Sequence, residues 1–423
     1  MRFIYTLLAY VLLAPLFCAV MFFRGLRDKR YWENFGERFG IGPTVDKPSI
    51  WVHAVSVGEV QACAVLVRCL HDRYPGIPIV VTTLTATGAE RARALLADRA
   101  SVRYMPLDLP GSVGRFLDRA RPRIAVIFET EIWPNLYHEC GHRRVPIVMA
   151  SARLSPRAMG KYTSFLTVFR QAMSTKGLVI AAQGEADAAR FRELGANPHK
   201  THVTGNLKFD FALPPNVTTK GAELREHYAS GRLVWVAGST HGDGEEESVL
   251  AAHRYVRQIH PNVLLVLVPR KTQRFAEVGA WLEKQHVRII RRSNPSARTR
   301  DLEVLLVDTL GELLDFYAMG DVAFVGGSLV PVGGHNLLEP AALGIPVLTG
   351  PHNHNSADIA KILVDAGAAL IVKDGNELGE RVAALLSNPA ERARMGAAGR
   401  DAVEENRGAL EKLLALIDPL LRV

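Results

Sequence analysis

Cysteine patterns and several catalytic signatures are missing from the sequence. Only four cysteines occur among 423 residues, and no two of them form a C-x-x-C pair. This scarcity excludes a zinc ribbon and a disulfide scaffold, and it favours a reducing compartment. The chain also lacks a Walker G-K-[ST] loop, a G-x-G-x-x-G fingerprint and a G-x-S-x-G elbow.

Neither the aspartates nor three widely separated histidines have the spacing of a metal centre. No Asp-x-Asp element is present to hold a cation on a diphosphate. His53, His241 and His335 stand far apart in the sequence and lack the spacing of metal ligands. We therefore assign neither a metal nor a cofactor, and we expect each of these histidines to be a core or hydrogen-bonded side chain.

Low-complexity tracts and repeats are absent as well. With 48% hydrophobic and 22% charged residues, the composition excludes a disordered or fibrous protein. The length suits two domains better than one core. The net charge of +8 favours anionic partners, a class that includes nucleic acid, anionic lipid and phosphorylated substrates.

One long hydrophobic run stands near the N-terminus. Residues 3–23 carry no charge, and as a helix they would span about 31 Å, the thickness of bilayer hydrocarbon. One basic residue precedes the run and four follow it, which are Arg24, Arg27, Lys29 and Arg30. The positive-inside rule then predicts an uncleaved anchor with the rest of the chain in the cytosol, whereas a cleaved signal peptide has the opposite charge order. Pro15 would kink this helix, so we expect membrane attachment by a segment that either spans the bilayer or is deeply embedded in it.

Short hydrophobic runs alternate with amphipathic stretches along the rest of the chain. They predict strands at residues 50–54, 79–83, 124–128, 146–150 and 178–182, and again at 233–237, 263–268, 304–307, 322–325 and 346–348. Their hydrophobicity is continuous, which is typical of parallel strands covered on both faces. The sequence therefore predicts two doubly wound α/β domains that face each other across a cleft.

The composition also suggests boundaries for these domains. We predict an anchor with a basic flank over residues 1–30, a first domain over 31–212, a linker over 213–221 and a second domain over 222–405. The final amphipathic stretch, residues 406–423, is placed to return to the first domain.

Ligands of open α/β sheets bind beyond the carboxyl ends of the strands. Acidic residues follow two predicted strands of the first half, and a basic residue lies where the first domain ends. Glu59 either complements a helix dipole or acts as a general base. Glu129 and Glu131 should project to the same side if the segment is extended, and Arg153 is a candidate ion-pair partner. Lys208 either neutralises a phosphate or is solvated.

The second half offers glycine-rich loops that would let a phosphate or nucleotide approach the backbone. Glu339, after two Gly-Gly pairs, is suited to ribose hydroxyls, and Arg270 is suited to a phosphate or carboxylate. The alternative is a set of tight turns with no ligand. The candidate nucleotide-binding residues are Ser239, Thr240, Pro269, Arg270, Leu310, Gly311, Glu312, Asn336, Leu337, Leu338 and Glu339.

Taken together, six motifs resemble the Kdo transferases, which transfer 3-deoxy-D-manno-octulosonic acid (Kdo) to lipid A precursors in Gram-negative bacteria. The motifs are H-A-V-S-V-G-E (53–59), F-E-T-E-I-W-P-N (128–135), S-A-R-L-S (151–155), T-G-N-L-K-F-D (204–210), L-V-P-R (267–270) and F-V-G-G-S-L-V with G-G-H-N-L-L-E-P (324–340). The likeness covers almost the whole chain, and nothing at these motifs departs from the family pattern. It implies a GT-B fold, with an acceptor-binding first domain and a second domain that binds the donor CMP-Kdo.

The resemblance also implies roles for individual residues. Glu59 matches the general base, and Glu129 and Lys208 match residues that stabilise the transition state. The candidate residues of the second half match CMP-binding elements. Because CMP carries one phosphate, the resemblance implies no metal.

The expected partners are CMP-Kdo, a tetraacyldisaccharide 1,4'-bisphosphate acceptor and the lipids of the inner membrane, with the catalytic domains on its cytoplasmic face. Nucleic acid is not expected. Two alternatives remain: a sugar-nucleotide epimerase on a GT-B-like fold, and a non-catalytic, membrane-anchored protein that binds nucleotide or lipid.

Overall fold

The computed structural model describes residues 2–163, 166–294 and 301–422. The chain divides into two compact units, one formed by Met1–Phe211 with Asn406–Val423 and the other by Ala212–Glu405. Each unit contains a parallel seven-stranded sheet flanked by helices. The predicted α/β class, with one doubly wound sheet in each half of the chain, is confirmed.

The sheet of the first unit has the order β3-β2-β1-β4-β5-β6-β7. The chain winds outwards from β1 in one direction and then returns to β4 on its other side, so the switch point lies between β1 and β4. The strands are β1 (Ser49–His53), β2 (Ile79–Thr83), β3 (Ser101–Tyr104), β4 (Pro122–Phe128), β5 (Ile147–Ala152), β6 (Leu178–Ala182) and β7 (Thr201–Val203).

Nine helices of this unit precede its last helix in the described part of the chain. They are α1 (Arg2–Leu8), α2 (Ala14–Arg27), α3 (Val57–Arg73), α4 (Ala86–Leu96), α5 (Pro110–Ala120), α6 (Pro134–His142), α7 (Pro156–Thr163), α8 (Leu166–Met173) and α9 (Glu185–Glu193). A short 3-10 turn, Leu207–Asp210, follows β7.

The second unit repeats this architecture with the order β10-β11-β9-β8-β12-β13-β14, and its switch point lies between β8 and β12. Its strands are β8 (Val234–Thr240), β9 (Leu264–Pro269), β10 (Ile289–Arg291), β11 (Val304–Leu306), β12 (Val322–Val325), β13 (Val347–Thr349) and β14 (Ala369–Ile371). Its helices are α10 (Val217–Ala229), α11 (Glu245–Ile259), α12 (Phe275–Lys284), α13 (Leu313–Ala318), α14 (Leu338–Leu343), α15 (Ala357–Asp365), α16 (Gly375–Ser387) and α17 (Pro389–Glu405). Helix α10 begins inside the stretch predicted as a linker.

The last helix, α18 (Ala409–Leu421), belongs to the first unit. It packs on β4 and β5 through buried leucine and isoleucine side chains, among them Leu413 and Ile417. The Asp210 carboxylate accepts hydrogen bonds from the backbone N–H groups of Gly408 (2.6 Å) and Leu410 (2.8 Å) and so caps the helix.

Four strands, β3, β7, β10 and β14, have no counterpart among the predicted strands. Each has only three or four residues and lies at a sheet edge. Edge strands are exposed on one side, so they need no continuous hydrophobic run: β3 begins with an exposed serine, Ser101, and β7 contains an exposed histidine, His202.

Helices α1 and α2 form one continuous apolar helix, Arg2–Arg27, with a mean hydropathy of 2.3 over its most apolar window, long enough to cross a membrane. A π-helical turn, Ala9–Leu13, joins them just before Pro15, whose missing N–H removes one bond of the regular ladder. One side of this helix contacts the first unit. The Tyr5 hydroxyl donates to Asp108 (2.8 Å), the Thr6 hydroxyl donates to Asn135 (2.8 Å), and the small size of Gly25 lets the Trp32 ring approach.

Candidate functional site

Glu59 lies in the first turn of α3, directly beyond the carboxyl end of β1. Ser56 caps the helix by accepting the Glu59 N–H (3.4 Å), and its hydroxyl donates to the Glu59 carboxylate (2.9 Å). The Val55 N–H donates to the other carboxylate oxygen (2.9 Å). This reciprocal arrangement is a capping box, so Glu59 completes the helix end as well as standing at the switch point.

The pKa of Glu59 is raised to about 7. Burial is the main cause, and the negative charge of Glu129 adds to it. The hydrogen bonds from Val55 and Ser56 and the charge of Lys208 act in the opposite direction. A carboxylate with this pKa can take up a proton near neutral pH, as a general base must.

Glu129 follows β4, the neighbour of β1 across the switch point. The Lys208 ammonium lies 3.1 Å from its carboxylate, and both side chains are about one-quarter exposed. The structure thus brings Glu59, Glu129 and Lys208, all predicted from the sequence, to one edge of one sheet.

The extended segment on which the shared orientation of Glu129 and Glu131 depends is not formed. Glu129 has a φ of 56° and forms a turn, because β4 ends at Phe128. Left-handed conformations cost a non-glycine residue about 1–2 kcal/mol. Ser151 in β5 (φ 51°) and Ser239 in β8 (φ 57°) adopt the same conformation near the carboxyl ends of their strands.

Glu131 is a third acid of this cluster, and the sequence reasoning singled it out without assigning it a role. Its pKa is raised to about 7, mainly by burial and in smaller part by the charges of Glu59 and Glu129. Its carboxylate accepts the Trp133 indole N–H (2.7 Å), and its carbonyl accepts the Tyr137 hydroxyl (3.1 Å). Three carboxyl groups therefore share the neighbourhood of one ammonium.

Side-chain amides hold the turn that carries Lys208. The Asn206 side chain accepts the Lys208 N–H (3.0 Å) and donates to Gln183 (3.2 Å). Gln183 in turn donates to the carbonyl of Ser151 (3.0 Å). The motifs at residues 151–155 and 204–210 are therefore joined by hydrogen bonds.

In the second unit, the β8 loop (residues 239–244) and the β12 loop (residues 326–339) meet at the switch point. Ser239 and Thr240 end β8 and are buried, and the Thr240 carbonyl accepts the Arg270 N–H (2.9 Å). Gly326 touches Ser239 and Thr240 so closely that a Cβ on it would lie 2.8 Å from both. Pro269 ends β9, so the next residue, the predicted phosphate-binding Arg270, lies beside these loops.

The two histidines of these loops contact each other, although they are 94 positions apart. His241 Nε2 and His335 Nε2 are 2.8 Å apart, and the rings are nearly parallel. Burial lowers the pKa of His335 to about 4, and it also lowers the pKa of His241. Two neutral rings thus share an N–H···N hydrogen bond, as expected for hydrogen-bonded histidines.

The predicted ribose-binding segment follows His335. The Asn336 side chain donates to the Glu339 carboxylate (3.0 Å) and accepts the Leu338 N–H (3.1 Å), while Leu337 and Leu338 are buried. Burial raises the pKa of Glu339, and the charge of Arg270 opposes this effect. Arg270, His335 and Glu339 are therefore close enough to influence one another.

The turn at Leu310, Gly311 and Glu312 precedes α13. Leu310 is 74% exposed, and Gly311 has a φ of 85° that glycine adopts without strain. Arg292 donates to the Glu312 carboxylate (2.8 Å), so an internal ion pair already engages this side chain.

The sequence also contains an H-E-x-x-H pattern, residues 138–142, on helix α6. The two histidine rings stack with centroids 6.5 Å apart, and both side chains are exposed. Within residues 2–163, 166–294 and 301–422, no group of three His, Cys, Asp or Glu side chains is arranged to hold a metal ion.

Known structures share the two-sheet architecture. A glycosyltransferase from Rickettsia africae superposes with a TM-score of 0.58 at 12% identity over 89% of this chain and 99% of its own. A UDP-GlcNAc 2-epimerase from Neisseria meningitidis gives 0.57 at 14% identity over 89% and 100%. These likenesses define a GT-B-like fold. Residues 334–409 also match a family model described as glycosyl transferase-like.

Sequence relatives are more specific. Residues 33–211 match the family model of 3-deoxy-D-manno-octulosonic-acid transferase. The Haemophilus influenzae 3-deoxy-D-manno-octulosonic acid transferase is 40% identical over 99% of both chains, and that of Bordetella pertussis is 38% identical over 97% of both. The chain belongs to the Kdo transferase family.

Proposed function

We propose that this protein is an inverting glycosyltransferase that moves Kdo from CMP-Kdo to a lipid A precursor, a tetraacyldisaccharide 1,4'-bisphosphate, in inner-core lipopolysaccharide synthesis. The observation that carries the proposal is the Glu59 carboxylate at the switch point of the first sheet. Its pKa of about 7 suits a general base, and the Glu129–Lys208 pair lies beside it.

In the proposed reaction, an acceptor hydroxyl attacks the anomeric carbon of Kdo. The new bond joins the acceptor oxygen to that carbon, and the bond from the carbon to the CMP phosphate oxygen breaks. The electron pair leaves with CMP, and the hydroxyl proton passes to Glu59. Positive charge develops on the sugar and negative charge on CMP, so Glu129 and Lys208 are suitable partners for the two charges.

Donor binding is assigned to the second unit. Arg270 is the proposed contact for the phosphate of CMP, and Glu339, held by Asn336, is the proposed contact for ribose hydroxyls. The backbone of Ser239, Thr240 and the turn at residues 310–312 completes the proposed nucleotide site.

The acceptor is proposed to stay in the membrane while it reacts. The helix Arg2–Arg27 presents an exposed apolar surface, and basic residues follow it, which would favour an anionic cytoplasmic leaflet. We therefore place both units on the cytoplasmic face of the inner membrane.

The test is transfer from freshly generated CMP-Kdo to a tetraacylated acceptor, read by mass spectrometry for the wild type and for Glu59→Gln. We expect the variant to bind CMP normally in calorimetry and to lose transfer by about 10²–10⁴-fold. Glu185→Gln is the matched control, because Glu185 lies in the first turn of α9 in the same unit. It should transfer Kdo like the wild type.

Wild-type transfer rates in Glu59→Gln would contradict the role of Glu59. Absence of any product from the wild type, with CMP still bound, would contradict the transferase activity and favour a binding role. An epimerase would change the sugar nucleotide itself without adding mass to the acceptor.

A further inference from the structure

One buried carboxylate joins the two loops of the second unit that carry candidate nucleotide-binding residues. Glu245 is the first residue of α11 and is fully buried. Its first oxygen, Oε1, accepts the backbone N–H groups of Ser328 (3.0 Å) and Leu329 (3.0 Å). Its second oxygen, Oε2, accepts those of Gly327 (2.7 Å) and His241 (2.8 Å). The four donors come from the β12 loop and the β8 loop.

The contact with Gly327 extends further along the β12 loop. The Gly327 carbonyl accepts the N–H groups of Gly333 (3.1 Å) and Gly334 (2.7 Å). These glycines precede His335 and the segment Asn336–Glu339. The Glu245 carboxylate therefore holds Gly327 of the first glycine pair. Gly327 in turn holds Gly333 and Gly334, which precede the proposed ribose contact, Glu339.

The neighbouring residue, Glu246, shows that acids at the start of this helix do not in general bind the backbone of the β12 loop. Glu246 is also buried, but its carboxylate pairs with Arg274 at 2.6 Å and reaches Thr240 rather than the β12 loop. An acid that only complemented the helix dipole would not need four backbone donors from two other loops.

We infer that Glu245 is a positioning residue for the sugar nucleotide: it holds the β8 and β12 loops in their binding conformation before the donor arrives. This inference rests on the proposed donor site. Glu245 itself touches no substrate, and its effect passes through Gly327, Ser328 and Leu329. Preorganisation of this kind lowers the ordering cost of binding.

The test is the variant Glu245→Gln in the full chain. The amide group cannot accept with its nitrogen, so two of the four backbone donors lose their acceptor. We expect amide hydrogen exchange of residues 327–329 to accelerate without nucleotide. We expect CMP affinity to fall about ten- to a hundredfold and the KM for CMP-Kdo to rise, with a smaller change in kcat.

Asp321→Asn is the matched control. The Asp321 carboxylate accepts a backbone N–H from Val234 (2.8 Å) and pairs with Arg225 (2.9 Å) at the start of β12, the opposite end of that strand. It should lower the melting temperature while it leaves CMP affinity unchanged. If Glu245→Gln does not fold, Glu245→Asp, which keeps the charge on a shorter side chain, is judged by the same measurements.

Unchanged exchange at residues 327–329, or CMP affinity within twofold of a wild type that binds CMP, would overturn the inference. A loss of affinity no larger than that of Asp321→Asn would also overturn it. If the wild type does not bind CMP, the proposed function fails, and the exchange measurement alone decides whether Glu245 organises the loops.

Discussion

Glu59 serves two purposes with one side chain. It completes the capping box of α3 with Ser56, and it carries a pKa near neutrality because burial and Glu129 disfavour its charged form. In the proposed mechanism only the deprotonated form accepts the acceptor proton. Transfer should therefore rise with pH through about 7 and fall on the acidic side.

Two neighbours of Glu59 should shift the acidic limb of the pH–rate profile, the pH range over which kcat falls, in opposite directions. Glu129→Gln removes a negative charge, so the pKa of Glu59 should fall and the limb should shift to lower pH. Ser56→Ala removes a hydrogen bond that stabilises the carboxylate, so the limb should shift to higher pH. The measurement is kcat against pH for both variants, with Glu185→Gln as the control that should match the wild type. Shifts of the same sign in both variants would contradict this account.

At the scale of elements, α18 depends on the turn that carries Lys208. Asp210, two residues after Lys208, caps α18 through Gly408 and Leu410. Hydrophobic contacts of Leu413 and Ile417 then hold the helix on the first sheet. The stability of the last helix and the position of a candidate catalytic lysine are thus linked through one short turn.

Asp210→Ala should therefore reduce both stability and transfer. A lost cap costs about 1 kcal/mol, and the freed turn should lower kcat because Lys208 is less well held. Asp374→Ala is the matched control, since Asp374 caps α16 of the second unit through Asn376 (3.0 Å) and Glu377 (2.9 Å). Chemical denaturation and kcat are measured for both variants. Equal effects on kcat would show that the turn does not position the lysine.

Individual strands show which parts of the fold could be predicted from the sequence alone. Strands such as β2, β6 and β12 are continuous hydrophobic runs and were found with their correct bounds, whereas short edge strands carry no such signal. Glu59 and Glu129 could be predicted because parallel strands bring their carboxyl ends to one edge, whereas Lys208 was singled out by its place near the end of the first domain. The left-handed turn at Glu129 and the four bonds of Glu245 depend on contacts between distant segments, which no local pattern records.

At the scale of the molecule, the helix Arg2–Arg27 has two different sides. Met21 and Gly25 are buried against the first unit, whereas a row of large apolar side chains is exposed. Such a surface is unfavourable in water and favourable in lipid. The exposed residues include Val11, Leu12, Leu16 and Phe23.

Replacing those four exposed residues by glutamine should release the protein from membranes. Each apolar side chain contributes about 1.5–3 kcal/mol when it leaves water, so their joint loss should lower partitioning by several orders of magnitude. Met21→Ala, which changes the side facing the protein, should remain bound. Carbonate extraction of membranes followed by immunoblotting measures both variants. Retention of the fourfold variant would show that the exposed side does not meet the lipid.

The return of α18 to the first unit sets an order of events during synthesis. The ribosome releases all seven strands of the first sheet before any strand of the second, yet α18 emerges only after the whole second unit. Until then the apolar surface of β4 and β5 lacks its cover, and Asp210 lacks its two backbone donors. The unit that is made first is therefore finished last, whereas the second unit is continuous in the chain and needs no later segment to complete its core.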